Sequence, residues 1–338
     1  AYIIRKVWEN MMKWGVLSTA KIGLTQVIPA IQRSKNGRVV AIASRNIENA
    51  KNVAKDLEIT TAYGSYEELL DDPAIDAVYI PLPNALHKEW VIKAAEKKKH
   101  VLCEKPVAIT VEELQEMIDA CERNGVKFME AFMYQFHPQH EKVKELIAEG
   151  TIGEVATMRA SFTFFLDDSS NIRLSEDLAG GSMFDVGCYA LHSIRNIFDA
   201  EPVSVYAAQS NRGNFQVDTT MVGVMHFADG KLGIFDSSFD ADGQNVYEIA
   251  GSKGRITVPG AYRPDENENM EGKIIVQVNG ETTVHSFPGD QYKLMVEHFA
   301  EAVLENKELY YNTEKITNQM KVLDAVYRSS KSQQVENV

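Results

Sequence analysis

Lys105 stands immediately before Pro106, at the end of the run His100-Val101-Leu102-Cys103-Glu104. The run reads as a buried parallel strand, and the lysine falls at its carboxyl end, where open α/β sheets hold their ligands. The residue before a proline is kept out of helical geometry, and X-Pro is the peptide bond able to be cis. A cationic amine is therefore held on a constrained turn, where it could grip a reacting oxygen. A second set follows at Asp185, Tyr189 and His192. On a helix begun after Gly180-Gly181, spacings of i, i+4 and i+7 bring a carboxylate, a phenol and an imidazole to one face. A phenol with a pKa of about 10 is a poor base at neutral pH, but a nearby ammonium favours the phenolate. Facing Lys105, the three make an acid–base set. Facing away, they make an ordinary packing helix with a buried tyrosine and a capping aspartate.

The elements that must position these residues can be read from periodicity. Apolar strands over residues 13–18, 39–43, 74–80, 100–103 and 126–129 alternate with helical spacing over 22–34, 46–57, 86–98 and 111–123. Asn46 is placed to cap the second helix, and Thr110 with Glu113 forms a capping box. Two-sided apolar strands alternating with helices predict a doubly wound parallel sheet, a Rossmann-type domain over residues 11–132. From 133 to 338 the pattern changes. Ala156, Met158, Ala160, Phe162 and Phe164 share one face of an alternating strand, and Thr157, Arg159, Ser161 and Thr163 share the other. Asp229-Gly230 and Asn279-Gly280 each join two such strands as hairpins. This half is expected to be an α+β domain with a large, open, mostly antiparallel sheet. Helices over 291–305 and 313–330 close the chain, the last expected to return to the first domain. One apolar face fits a sheet that pairs subunits, and fits burial under helices equally well.

The first βα turn offers Ser18-x-Ala20-x-x-Gly23 where a dinucleotide fingerprint has G-x-G-x-x-G. Only the third glycine, which allows close helix–strand packing, is kept. Ser18, Thr19, Ala20 and Ile22 are still small or placed well enough to let main-chain N–H groups approach a pyrophosphate. A tight turn with no ligand would use the same residues. The second strand ends in Ser44-Arg45 rather than in the carboxylate that binds an NAD ribose. A guanidinium suits a phosphate, which favours NADP, with NAD possible; a solvated helix-start arginine is the alternative. Pro81, Asn84, His87, Glu104 and Lys105 lie at the same predicted sheet edge. Asn84 would cap the next helix and touch the cofactor. His87 would face the nicotinamide ribose, or else be a plain first-turn histidine.

The chain has 338 residues, and its net charge of −13 argues against nucleic acid and anionic membrane partners. Cys103, Cys121 and Cys188 form no metal or disulfide pattern and suit a cytoplasmic location. No metal site is expected. Residues 1–10 read as an extension before Met11-Met12.

The motifs together resemble the glucose-fructose oxidoreductase / inositol dehydrogenase / rhizopine catabolism family. Glu104-Lys105-Pro106 on a Rossmann strand, then Gly180-Gly181 and Asp185-Val186-Gly187-Cys188-Tyr189, carry the resemblance, with Pro83-Asn84-Ala85-Leu86-His87 and Glu130-Ala131-Phe132-Met133-Tyr134 in order. It implies NAD(P)-dependent hydride transfer on sugars, polyols and related diols, and a homodimer or homotetramer formed through the C-terminal sheet. Tyr189, where inositol dehydrogenase-like members have His, is similar to the branch containing dimeric dihydrodiol dehydrogenase and NADP-dependent D-xylose dehydrogenase. The resemblance implies Tyr189 as acid/base, Lys105 as its partner on the substrate hydroxyl, and Asp185 as a positioning group. Arg173 and His192 join Tyr189 as expected substrate contacts. A non-catalytic dinucleotide sensor and an NAD-assisted glycosidase remain as alternatives on the same fold.

Overall fold

The computed structural model describes residues 10–338, so the expected N-terminal extension lies, apart from Asn10, outside the described residues. The chain forms two compact units, each discontinuous in sequence. One comprises the described residues up to Met133 together with Gln291–Thr317, and the other comprises Tyr134–Asp290 with Asn318–Val338. From sequence the last helix is expected to return to the first domain; the segment that returns is Gln291–Thr317, while Asn318–Val338 belongs to the second unit.

In the first unit, β1 (Met12–Leu17) leads through a five-residue π turn (Gly23–Val27) into α1 (Ile28–Arg33). β2 (Gly37–Ala43) is followed by α2 (Ile47–Asp56), whose Asn46 cap accepts from the N–H groups of Glu48 and Asn49, as its spacing requires. β3 (Thr61–Tyr63) and α3 (Tyr66–Leu70) come next. β4 (Ala77–Ile80) precedes α4 (His87–Glu96), and β5 (His100–Cys103) precedes α5 (Val111–Arg123), capped by the Thr110 hydroxyl. β6 (Phe128–Glu130) ends the sheet. The strands lie parallel in the order β3-β2-β1-β4-β5-β6. This is the doubly wound order, in which the chain switches sides between β1 and β4 and leaves a crevice at the strands' carboxyl ends. Trp14, Val16, Val78, Tyr79, Val101 and Leu102 are wholly buried, as strands covered on both faces must be.

The cap expected of Asn84 is not made. Asn84 opens a 3₁₀ turn (Asn84–Leu86), the helix proper starts at His87, and neither has a side-chain cap hydrogen bond.

In the second unit, α6 (Gln139–Ala148) precedes β7 (Val155–Thr163). A second π turn (Met183–Gly187) runs into α7 (Cys188–Phe198). Then come β8 (Ser204–Ser210), β9 (Thr220–His226), β10 (Leu232–Ser238), β11 (Gln244–Gly251), β12 (Gly254–Pro259), β13 (Gly272–Val278) and β14 (Glu281–Phe287). α8 (Gln291–Leu304) belongs to the first unit, where Phe299 packs on Trp14 with ring centroids 5.4 Å apart. α9 (Thr313–Ser332) and a short β15 (Glu336–Asn337) end the chain.

The nine-stranded sheet runs β14-β13-β12-β11-β7-β10-β9-β8-β15. Only β7 and β10 pair in parallel; the other neighbours are antiparallel, and both hairpins form where Asp229-Gly230 and Asn279-Gly280 predict them. In β7 the alternation holds at Met158 and Ala160, buried, against Arg159, exposed; Ala156, expected inward, is exposed near the strand's start. Met221, Met225, Phe235, Tyr247 and Ile249 are buried, while Tyr206 and Val222 are close to half exposed on β8 and β9.

Candidate active site

The turn after β1 is built on a serine in a glycine's conformation. Ser18 has φ 125°, which L side chains rarely adopt and which a fingerprint glycine adopts freely. Its N–H donates to the Ala43 carbonyl (3.0 Å), and its hydroxyl accepts from the Ala20 N–H (3.0 Å), so local bonds offset the strain. Thr19 Oγ1 accepts from the Asn49 amide (2.9 Å). Ile22 is half-buried. Gly23 allows close packing here, but the packing does not require a glycine. A Cβ there would meet Tyr79 at 3.5 Å and Pro81, itself buried, at 3.7 Å, both ordinary contacts. The helix opening beside Ala20 has first-turn N–H groups without intrahelical acceptors, which is what an anionic ligand uses.

At the end of β2, Ser44 is buried and its hydroxyl accepts from the Asn46 N–H (3.2 Å). Arg45 is exposed, and its charge and hydrogen bond act against the rise that burial imposes on the Tyr66 phenol. A guanidinium and a hydroxyl, with no carboxylate at this position, make a donor set that fits a phosphate.

At the ends of β4 and β5 the turn that carries Lys105 is gripped from several sides. Tyr79 donates its hydroxyl to Glu104 Oε1 (2.5 Å), and the Lys105 N–H donates to Glu104 Oε2 (3.3 Å). The Lys105–Pro106 bond is cis, and the Lys105 side chain is half-buried. His87 lies within 2.9 Å of the Pro106 carbonyl through Nδ1 and 2.8 Å of the Leu82 carbonyl through Nε2. The Val107 N–H donates to Glu130 Oε2 (2.6 Å), whose other oxygen accepts from the Tyr311 hydroxyl (3.0 Å). The placement of His87 corrects the expectation that it faces a ribose. Its ring is wholly buried, with both nitrogens against main-chain carbonyls, and burial pushes its pKa down. Tyr79 escaped notice in the sequence, and Glu130 stood there only within a motif, with no role assigned to it. A carboxylate inside the apolar run Phe128-Met129-Glu130-Ala131-Phe132 was the available signal, since buried carboxylates need donors.

In the second unit, the π turn places Asp185 one turn before Tyr189, with Asp185 half-buried and Tyr189 buried. The single regular helix expected here is instead widened at its start; such π segments occur often at functional sites. Arg173, on a 3₁₀ turn (Ile172–Leu174) capped by Asn171, donates Nε to Asp185 Oδ2 (2.9 Å). Tyr189 sits among the rings of Tyr134, Phe162 and Tyr262, with centroids 5.5–6.0 Å away. His192 is buried, and its Nδ1 shares a 2.5 Å hydrogen bond with the Tyr134 hydroxyl. Asp185, Tyr189 and His192 thus lie on one turn-and-helix segment of this unit, and Arg173 reaches Asp185 from the 3₁₀ turn before it. Lys105 and the cofactor candidates gather on one sheet edge of the other. Among the described residues no helix is long and apolar enough to cross a membrane, and no group of three or more His, Cys, Asp or Glu is arranged to hold a metal.

Comparison with known proteins places this geometry in a family. Residues 12–132 match the model described as an oxidoreductase family with a NAD-binding Rossmann fold, and residues 140–257 match the GFO/IDH/MocA C-terminal domain. The chain is 42% identical over 323 residues to D-xylose 1-dehydrogenase (NADP(+)) 2 of Haloferax volcanii, covering 95% of this chain and 98% of that one. It is 33% identical to trans-1,2-dihydrobenzene-1,2-diol dehydrogenase of Xenopus tropicalis, covering 73% of this chain and 75% of that one. Among solved structures it resembles KijD10, a 3-ketoreductase from Actinomadura kijaniata in complex with NADP and TDP-benzene, at a TM-score of 0.90 and 28% identity, covering 95% of this chain and 98% of that one.

Proposed function

The chain belongs to the GFO/IDH/MocA family of oxidoreductases, and on that premise we propose that it is an NADP-dependent enzyme moving a hydride between nicotinamide and a CH–OH/C=O carbon of a sugar, polyol or dihydrodiol. The observation that carries this reading is the gripped turn at Lys105. Bonds through His87, Glu104 and Glu130 fix the backbone of the turn, so the point from which the ammonium reaches the substrate is set before reaction.

In the oxidative direction Tyr189, as the phenolate, takes the proton of the substrate hydroxyl and becomes the phenol. Lys105 holds that same oxygen and stabilises the charge that develops on it. Asp185, fixed by Arg173, accepts from a neighbouring substrate hydroxyl and sets its orientation. NADP bound along the sheet edge that carries Lys105 would supply the acceptor for the hydride of the carbinol carbon. In reduction Tyr189 returns the proton. Positioned acid–base groups of this kind contribute roughly 10²–10⁴-fold. Ser18, Thr19, Ala20 and Ile22 would hold the pyrophosphate. Ser44 and Arg45 would hold the 2′-phosphate that distinguishes NADP, and the edge formed by Pro81, Asn84, Glu104 and Lys105 would receive the nicotinamide ribose.

The test is fluorescence titration of the protein with NADPH and with NADH, followed by NADP reduction with D-xylose and with trans-1,2-dihydrobenzene-1,2-diol. Tight NADPH binding, weaker NADH binding and turnover of either substrate class are expected. Binding of neither nucleotide would remove the hydride-transfer reading, and binding without turnover on any carbinol would favour a sensor.

A further inference from the structure

We propose that Asp218 is a positioning residue for the reacting helix: it anchors from outside the π turn that carries Asp185 and leads to Tyr189. The proposal rests on the reading of Tyr189 as the proton-exchanging group.

The helix needs an anchor because it brings none of its own. Its N-terminal residue, Ser182, makes no side-chain cap hydrogen bond to the turn it opens. The first N–H groups of a helix have no intrahelical acceptor, and buried ones must find one elsewhere. Here they find Asp218. The Ser182 N–H donates to the Asp218 carbonyl (2.8 Å), and the Met183 N–H donates to Asp218 Oδ2 (2.8 Å). The Ser182 hydroxyl donates to the same Oδ2 (2.9 Å) and lies 2.9 Å from the Ser237 hydroxyl. The other carboxylate oxygen accepts from the Tyr327 hydroxyl (2.9 Å). Asp218 is 2% exposed and Ser182 wholly buried, so these bonds face no competition from water. A negative charge at a helix N-terminus is also favoured by the helix dipole.

The glycine before the turn belongs to the same device. Gly181 has φ 114°, and a Cβ built on it would lie 2.4 Å from Asp218 Oδ1. The carboxylate fills the space a side chain would need, and the backbone bends in a way that suits only glycine. The Gly181 carbonyl in turn accepts from the Asp185 N–H (3.1 Å). A continuous path therefore runs from Asp218 through Ser182 and Gly181 to Asp185, and Tyr189 follows one turn later. Two anchors far away in sequence set where that turn lies: Asp218 just before β9, and Tyr327 on α9.

The test compares Asp218→Ala, Asp218→Asn, Tyr327→Phe and Tyr189→Phe with the parent, using NADP and D-xylose as probes. Each is read by kcat, by KM for NADP, and by hydrogen exchange of the peptide spanning residues 182–190. Asp218→Ala should lose about 10- to 100-fold in kcat, as expected when reacting groups shift by an ångström or so. Its KM for NADP should stay within about twofold, and exchange should rise in that peptide ahead of the rest of the chain. Asp218→Asn should recover most of the activity. Its carbonyl can still accept from Met183 and Ser182, and its amide can donate to the Tyr327 oxygen. Tyr327→Phe should fall between. If Asp218→Ala does not fold, Ser182→Ala, which removes one of the bonds to Oδ2, takes its place with the same expectation at smaller size. A kcat within about twofold of the parent with unchanged exchange over residues 182–190 would overturn the proposal. Should Tyr189→Phe keep full turnover, the role given to Tyr189 is what fails, and the exchange measurement still decides whether Asp218 holds the turn.

Discussion

His87 Nδ1 lies 2.9 Å from the carbonyl oxygen of Pro106, the residue that follows Lys105. Its Nε2 lies 2.8 Å from the Leu82 carbonyl, so one wholly buried ring ties the loop after β4 to the turn after β5. A carbonyl only accepts, and a neutral imidazole donates from one nitrogen alone. Burial and the nearby Lys105 charge push the His87 pKa down, which favours the neutral ring, whose single N–H donates to one of the two carbonyls. His87→Ala removes that donor and leaves a hole. It should lower stability by about 2–4 kcal/mol, through an unsatisfied buried carbonyl and a cavity. Thermal unfolding of the purified variant measures this; a melting temperature equal to the parent's would contradict it.

On the proposed reading, Arg45 is the residue that tells the two nucleotides apart. Arg45→Ala should weaken NADPH binding about 10- to 100-fold, the worth of a charge-assisted phosphate contact, and should leave NADH binding within about twofold. Paired fluorescence titrations give both constants. An equal loss for the two nucleotides would mean that Arg45 serves the fold, through Tyr66, rather than the phosphate.

Local signals were legible in the sequence and non-local ones were not. The caps at Asn46 and Thr110 could be read because each side chain bonds an N–H two or three residues away. The hairpins at Asp229-Gly230 and Asn279-Gly280 were legible for the same reason. β3 and α3 escaped because three half-buried residues and a five-residue helix are too short to show a period. The π turns at residues 23–27 and 183–187 escaped because one extra residue per turn barely disturbs an apolar pattern of helical spacing. At the candidate site, the types and spacing of Lys105, Asp185 and Tyr189 could be read directly. The groups that fix them could not. Glu130 lies 23 residues from the Val107 N–H it accepts, and Asp218 lies 35 from Met183.

Tyr189→Phe keeps the ring stack with Phe162 and Tyr262 and removes only the hydroxyl. It should lower kcat about 10²–10⁴-fold, with NADPH affinity nearly unchanged. Lys105→Ala should lose turnover similarly while still binding NADPH. Single-turnover reduction of NADP by D-xylose separates the chemical step from binding. Near-parental rates in either variant would contradict the roles assigned.

Gly23→Ala should be tolerated, contrary to what the fingerprint alone suggests. A Cβ there meets Tyr79 and Pro81 at ordinary contact distance, and alanine is the better helix former by about 1 kcal/mol. The variant should melt at or slightly above the parent temperature and bind NADPH within about threefold. A large loss of nucleotide affinity would show that this position faces the ligand.

The second unit should be acid-labile, and the sign follows from two buried histidines. Burial pushes the pKa of His137 down to about 4 and that of His140 to about 3. The Nδ1 of His137 accepts from the Gln139 N–H (3.2 Å), and the Nδ1 of His140 shares a 2.7 Å hydrogen bond with the Tyr247 hydroxyl. Protonating His137 at Nδ1 would break the first bond and charge a buried ring, a cost that the Asp265 carboxylate only partly offsets. In the unfolded chain both rings titrate near an ordinary value of about 6.5. Because the folded values lie below the unfolded one, the unfolded state takes up protons first as pH falls. The stability of the neutral buried rings is therefore complete above about pH 6.5 and is lost progressively down to the folded pKa values. Between about pH 6 and pH 4 each group should remove about 1.4 kcal/mol per pH unit. Thermal unfolding between pH 7 and pH 5 should show a steady fall in melting temperature. His137→Asn should reduce the slope, because an amide carries no charge at any of these values and its oxygen can still accept from the Gln139 N–H. A melting temperature that stays level from pH 7 to pH 5 in the parent would mean that the two rings are already charged in the folded protein, and their placement would then need a counter-charge to explain it.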